Sequence, residues 1–348
     1  MTEMQDNWLR MSAWKHNPGE LDFQQRDRWF AGQQPCHRYP RDRAITADDI
    51  LLGWSQPEKL ITRETKVLAF GSCFAEYFIR FLAEYGYNDW QVPAERHALC
   101  DERLLFSLGS TFENIFVIVQ QLRWAFGEFT PPRAIWFTKD KAYFEATEDR
   151  REKLRASFED VDVLVITLGL SEIWFDNASG ETMWRPILSQ AYEPARHTFK
   201  LAGAAETVLA FRDLDRLLET FMPGTKVIFT LSPVPLLFTF RDQSPITANH
   251  VSKAILRVAL DEFLFSEDIR ARNWYHYFPS YELVLNLFDN PFESDNRHVR
   301  PEVAAAILDI FSAAYTDLPR DPGRGEVEGE TSQLRNRIRR LENELVQT

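Results

Sequence analysis

Gly71-Ser72-Cys73-Phe74 is the stretch of this chain best suited to chemistry. It follows an apolar run, Val67-Leu68-Ala69-Phe70, and opens a segment with apolar residues at Phe74, Phe78, Phe81, Leu82 and Tyr85, a helical spacing. A strand that ends in Gly-Ser and turns straight into a helix lifts a hydroxyl clear of the sheet while helix N–H groups point at it. Ser72 is thereby a candidate nucleophile. The same position also suits a plain helix cap, for which serine is among the preferred residues. A capping box is not completed, because Ala75 stands three residues on and Glu76 one beyond. Cys73 is the alternative reactive atom, since a helix N-terminus favours the thiolate. Against it, the residue after such a nucleophile ordinarily points inward, and a free cysteine most often packs as a small hydrophobe.

A serine hydroxyl needs an imidazole to accept its proton, and the imidazole needs a carboxylate to hold its tautomer. Of seven histidines, only His298 has an aspartate three residues before it, in Asp295-Asn296-Arg297-His298. Pro301 then suits a first helical position, and Val303, Ile307, Ile310 and Phe311 recur at helical spacing. On such a turn Asp295 can reach Nδ1 of His298 and leave Nε2 for a distant serine. An early strand-Ser-helix and a late Asp-x-x-His-helix have the chain order that an α/β hydrolase site requires.

The elements between them alternate. Strands are expected at 67–70, 161–168, 227–231 and 274–278, and helices at 74–85, 110–126, 204–221, 249–265 and 301–314. Val161-Asp162-Val163-Leu164-Val165-Ile166 is nearly continuous in apolar character, as a parallel strand covered on both faces must be. Strands alternating with helices predict right-handed crossovers and an α/β fold, a three-layer α/β/α sandwich on a mostly parallel sheet. Its sites lie beyond the C-terminal strand ends, and Gly71, Gly169 and Ser232 each follow an expected strand.

Phe70-Gly71-Ser72-Cys73-Phe74-Ala75 resembles the sequence for which the GSCFA family is named, a branch similar to the SGNH (GDSL-like) esterases and acyltransferases. Further stretches agree with it: Thr167-Leu168-Gly169, Leu231-Ser232-Pro233-Val234-Pro235-Leu236, Asn249 with Ser252-Lys253 and Leu256-Arg257, Tyr277 to Glu282, and Asp295 with His298. The resemblance covers about residues 60 to 315. It implies an SGNH-like fold in which Ser72 is the nucleophile, His298 the base and Asp295 its acid partner. The third SGNH block, usually Gly-x-Asn-Asp, reads Gly169-Leu170-Ser171-Glu172 here, without the Asn that donates to the oxyanion.

An oxyanion hole needs donors aimed where negative charge develops. The backbone N–H of Ser72 is one candidate, and Gly109 could admit close backbone approach as another. Asn114 or Ser171 could add a side-chain donor. Each has an ordinary alternative: a turn glycine, a helix-surface residue, a cap. Around the same rim, Gly169, Glu172 and Ser232 could shape a substrate pocket, with the stiff Ser232-Pro233-Val234-Pro235 loop as a wall for an acyl or sugar group or simply a turn. Asn249, Lys253 and Arg257 recur at helical spacing and could bind a polar or anionic group, or form a solvated helix face.

The chain has 348 residues, 45% of them hydrophobic, enough for one large α/β domain with extensions. A net charge of −12 argues against nucleic acid as a partner. The 27 phenylalanines read as core at strand and helix spacing. Cys36, Cys73 and Cys100 form neither a disulfide framework nor a metal pair, so no metal or cofactor is expected and reducing surroundings fit. Met1 to Glu20 lacks an apolar signal core and no run is long enough for a membrane span, which predicts a cytoplasmic protein. Residues 1–60 read as an arm packed on the catalytic domain of 61–317, and 318–331, rich in Pro and Gly, as a linker. In 332–348, Leu334, Ile338, Leu341 and Leu345 form an a/d seam of two heptads. Such a short helix predicts a coiled-coil homo-oligomer, or an amphipathic tail docked on its own domain or frayed.

The resulting expectation is a serine ester hydrolase or O-acyltransferase working through an acyl-enzyme on a small ester, carbohydrate- or lipid-linked esters among them. The alternative is a catalytically silent binding or scaffold protein that keeps the fold and self-associates through its C-terminal helix.

Overall fold

The structure is a computed structural model, and residues 39–40, 44–54, 59–72, 74–87, 114–132, 135–136, 145–184, 187 and 189–318 are described. In chain order the strands are β1 (Val67–Gly71), β2 (Val163–Leu168), β3 (Glu172–Asp176), β4 (Glu181–Thr182), β5 (His197–Leu201), β6 (Lys226–Leu231) and β7 (Tyr275–Phe278). The helices are α1 (Ala47–Leu51), α2 (Phe74–Glu84), α3 (Ile115–Ala125), α4 (Glu148–Phe158), α5 (Ala204–Phe221), α6 (Pro245–Phe265), α7 (Glu267–Arg272), α8 (Ser280–Leu287) and α9 (Pro301–Tyr315).

The main sheet has the order β1-β2-β6-β7 with every neighbouring pair parallel. Residues of β2 divide between two cores by parity. Leu164, Ile166 and Leu168 pack with α3, α5 and α6 through residues such as Leu122, Phe211 and Phe263. Val163 and Val165 pack with α2 and α9 through Phe78, Ile307 and Phe311. Helices therefore cover both faces, which is why β2 is buried along its whole length and reads as an unbroken apolar run. Each fully buried Phe or Leu contributes about 1.5–3 kcal/mol relative to exposure.

All four expected parallel strands and the helices over 74–84, 204–221 and 301–315 form within a residue or two of their predicted limits. Helix α6 starts four residues earlier than expected, because Pro245 occupies its first turn and the Ser244 hydroxyl accepts from the Ile246 N–H at 3.2 Å. Helix α3 starts at Ile115, capped by Asn114, whose Oδ1 accepts from the Val117 N–H at 2.9 Å. The small antiparallel sheet β4-β3-β5, inserted between β2 and α5, was not expected. Its strands run two to five residues, too short for a sustained alternation, and β3 has Glu172 and Asp176 at its ends. Helix α4 also lacked a signal, since only Leu154 and Phe158 of its eleven residues are buried.

Of the expected arm, residues 1–38 lie outside the described residues. Its described end packs on the domain: Trp54 meets the Tyr277 ring at 5.1 Å and the Phe265 ring at 5.7 Å, both edge-on. The expected linker from residue 319 onward and the coiled-coil segment 332–348 lie outside the described residues. Among those that are described, no helix is long and apolar enough to cross a membrane.

The tightest point of the sheet is the end of β1. Gly71 has φ +124°, and a Cβ placed there would lie 2.0 Å from the Thr167 carbonyl oxygen of β2. Gly71→Ala should therefore cost about 3 kcal/mol or more, or leave no folded protein. Gly224→Ala, also at positive φ but with nothing within 4 Å, should cost only about 1 kcal/mol. Denaturant midpoints of the two variants check this ordering, and equal midpoints would contradict it.

Candidate active site

Ser72 follows β1 directly. Its N–H continues the parallel ladder by donating to the Thr167 carbonyl at 3.0 Å, and its Oγ accepts from the Phe74 N–H at 3.2 Å at the mouth of α2. The side chain is 3% exposed. The expected use of the Ser72 N–H as an oxyanion donor is corrected by this geometry, because strand pairing runs one residue past Gly71 and occupies it. Cys73 lies outside the described residues, so the choice between the two side chains rests on the sequence.

Asp295 and His298 stand on a hairpin-like loop closed by a bridge between Phe292 and Val299. Asn296 takes a left-handed conformation, φ +57°, which folds the stretch back on itself. One oxygen of Asp295 then accepts from the backbone N–H groups of Arg297 and His298, each at 2.9 Å. The other bonds Nδ1 of His298. This is the tautomer-fixing contact expected of the pair, and it leaves Nε2 as the free nitrogen. Two backbone donors, those of Arg297 and His298, and then the imidazole hold the Asp295 carboxyl down to about 2. The Arg297 guanidinium reaches out of this loop and donates to the Pro235 carbonyl at 3.3 and 3.4 Å.

The helices that follow Ser72 and His298 bring both to one end of the sheet. The ends of α2 and α9 meet where the Tyr87 hydroxyl donates to Asp317 at 2.6 Å, and between them Phe78 packs on Phe311 with ring centroids 4.7 Å apart. The two helices thus run in the same direction, and their N-termini share the C-terminal side of the sheet. Phe74, two residues after Ser72, and Val299, next to His298, belong to one buried cluster, with Val234 packed against it.

The loop after β6 completes the rim. The Ser232 N–H donates to the Leu168 carbonyl at 2.7 Å, while the Ser232 hydroxyl accepts from Val234 at 3.2 Å. Asn249 Oδ1 accepts from the Leu236 N–H at 3.2 Å. Lys253, 2% exposed, donates from Nζ to the Gly169 carbonyl at 2.8 Å and the Val234 carbonyl at 3.1 Å, so it ties the β2 loop to the β6 loop. Gly169, Ser232, Asn249 and Lys253 thus lie on loops tied together at the rim, and the Lys253 and Asn249 side chains, expected to contact substrate, bond main-chain groups there.

Three further expectations are corrected. Ser171 donates its hydroxyl to the Ser252 carbonyl at 3.1 Å, and its N–H to the Ser252 hydroxyl at 2.7 Å, so it anchors the β2–β3 turn to α6 and does not serve an oxyanion. Glu172 accepts from the Thr239 hydroxyl at 2.6 Å and the Phe240 N–H at 3.3 Å, which makes it a clamp on the β6 loop and not a substrate ligand. Arg257 is held by Glu282 at 3.2 Å and Asp261 at 2.9 Å, with its guanidinium over the Tyr277 ring at 4.7 Å, so it braces α6 on β7 and α8. Gly109 lies outside the described residues. Asn114 uses Oδ1 as a cap, which leaves Nδ2 as its donor end. Phe126 and Phe221 stack at the far ends of α3 and α5, at 4.6 Å, which directs the Asn114 end of α3 toward the C-terminal side of the sheet.

Sequence reasoning missed Arg297 and Thr239. Both act on or from loops through partners far along the chain, a main-chain carbonyl in one case, and no spacing announces such a bond. Among the described residues no group of three or more His, Cys, Asp or Glu side chains could hold a metal ion.

The Asp295 turn makes a direct prediction. With the folded carboxyl at about 2 against an ordinary 3.8, its hold on the loop is complete above about pH 4 and is lost as pH falls through about 2. Carboxyl-carbon NMR of Asp295 should give a midpoint near about 2, and a midpoint at 3.8 would mean that the turn is absent in solution.

No curated protein matches the chain. The GSCFA family model matches residues 66–311, from the strand that delivers Ser72 to the helix that follows His298. With more than half of its length so matched, the chain belongs to the GSCFA family.

Proposed function

We propose that the protein is a serine ester hydrolase or O-acyltransferase of SGNH-like design. The observation that carries this reading is the Asp295–His298 pair, fixed through Nδ1 on a loop that precedes α9, at the same end of the sheet as Ser72. His298 would take the Ser72 Oγ proton on Nε2 as the oxygen attacks the ester carbonyl, and Asp295 would stabilise the imidazolium. Collapse of the tetrahedral intermediate would pass that proton to the leaving alkoxide and leave an acyl-serine. Water or a hydroxyl acceptor would then lose its proton to Nε2, attack the acyl-serine and free Oγ, which recovers the proton. Asn114 Nδ2 is the side-chain donor left to face the oxyanion, because Ser72 N–H and Ser171 are otherwise engaged. The parallel sheet, the serine after its first strand and the Asp-x-x-His before its last helix support the SGNH comparison.

The second reading is a catalytically silent member that retains the fold for binding. It is favoured by the 3% exposure of Ser72 and by the contact that makes its Oγ an acceptor for the start of α2.

Hydrolysis of p-nitrophenyl acetate separates the two. Ser72→Ala or His298→Ala should lower kcat/KM by about 10³-fold or more, and Asn114→Ala should lower kcat by about 10²-fold. A fluorophosphonate should label Ser72. Equal background rates in the parent and all three variants would establish the silent reading, and a label on Cys73 would transfer the nucleophile to the thiol.

A further inference from the structure

The loop after β6 is pinned on its polar atoms yet open on its apolar ones. From Ser232 to Phe240 it contains no charged residue. Leu237, Phe238 and Phe240 are 63%, 51% and 42% exposed. Single exposed apolar side chains are normal on a protein surface, but three within four residues form a patch. The backbone beneath them is not loose. Lys253 holds the Val234 carbonyl, Asn249 holds the Leu236 N–H, and Glu172 holds the Thr239 hydroxyl and the Phe240 N–H. These anchors turn the loop's polar groups inward and fix its hydrocarbon outward.

The patch is continuous. Phe238 and Phe240 pack edge to face at 5.4 Å, Phe240 meets Trp174 at 4.9 Å, and Trp174 meets the half-exposed Tyr192 at 5.8 Å. Its inner end is Pro235, whose carbonyl accepts from Arg297 beside His298. The strip starts next to the proposed general base and runs outward over aliphatic and aromatic carbon, a surface matched to hydrocarbon more than to a charged group.

We propose that Leu237, Phe238 and Phe240, with Trp174 and Tyr192 beyond them, form a subsite for the hydrocarbon chain of an acyl ester, which they guide away from its carbonyl. This assignment rests on the esterase reading given above and narrows it to medium-chain acyl groups. Burial of about half of each further CH₂ on such an open strip raises kcat/KM by about twofold, so the six that octanoate adds to acetate should give a preference of about 60-fold.

The full chain is assayed with p-nitrophenyl acetate, butyrate and octanoate below micellar concentrations, beside a Leu237→Ser/Phe238→Ser variant. A Leu209→Ser variant, at the 67% exposed Leu209 of α5, serves as the surface control. The parent and the control should show the octanoate preference, and the double variant should bring the octanoate-to-acetate ratio close to one. A flat chain-length profile with intact acetate turnover overturns the subsite and leaves the esterase reading standing. If no ester turns over, calorimetric titration with 2-decanone against 2-butanone decides the subsite by itself. Binding of the long ketone alone, lost in the double variant, supports it, and no difference between the ketones overturns it. A parent that sediments as a dimer while the double variant is monomeric, or that joins phosphatidylcholine vesicles only with Leu237 and Phe238 intact, assigns the patch to another surface and also overturns it.

Discussion

The approach of β1 to β2 at Gly71 and Thr167 is the constraint on which the rest of the structure depends. The two backbones come so close that only a residue without a side chain fits between them, at a φ that other residues avoid. That closeness keeps the parallel ladder intact to Ser72 and sets where α2 can begin. Because α2 packs on α9, it also bears on where the Asp295–His298 loop enters. A small displacement at this one crossing would move the serine relative to the imidazole, and proton transfer tolerates little error of that kind.

Around that point the rim is held together mostly by side chains that bond main-chain groups. Lys253 bridges two carbonyls, Arg297 reaches a third, Asn249 takes an N–H, and Asp295 takes two. Loops fastened in this way keep their shape without an extensive core of their own, since these main-chain groups find partners in side chains of α6 and of the neighbouring loop. The aliphatic and aromatic carbon of the β6 loop is thereby left at the surface.

The parts of the fold that were legible in the sequence are those that a single periodicity announces. The buried parallel strands read as apolar runs, and α2, α5 and α9 as helical stripes, because burial on two faces or on one stripe leaves a local imprint. The β3–β5 sheet left none, since strands of two to five residues, one of them with Glu and Asp at its ends, resemble loop. Within the candidate site the pairing of Asp295 with His298 was legible from a three-residue spacing. The fates of Ser171, Glu172 and Arg257 were not, because each is decided by a partner brought near only by tertiary packing: Ser252, Thr239 and Glu282. The engagement of the Ser72 N–H likewise depended on how far one strand pairs with another.

The junction of Tyr87 with Asp317, and of Leu60 and Ile61 with the Tyr315 carbonyl, has a spatial consequence. It lies at the pole where Leu60, Thr62, Asp162 and Lys226 line a cleft by the strand beginnings. The chain therefore reaches Leu318 on the side remote from Ser72 and His298, the full length of α9 away from the loop that carries the imidazole.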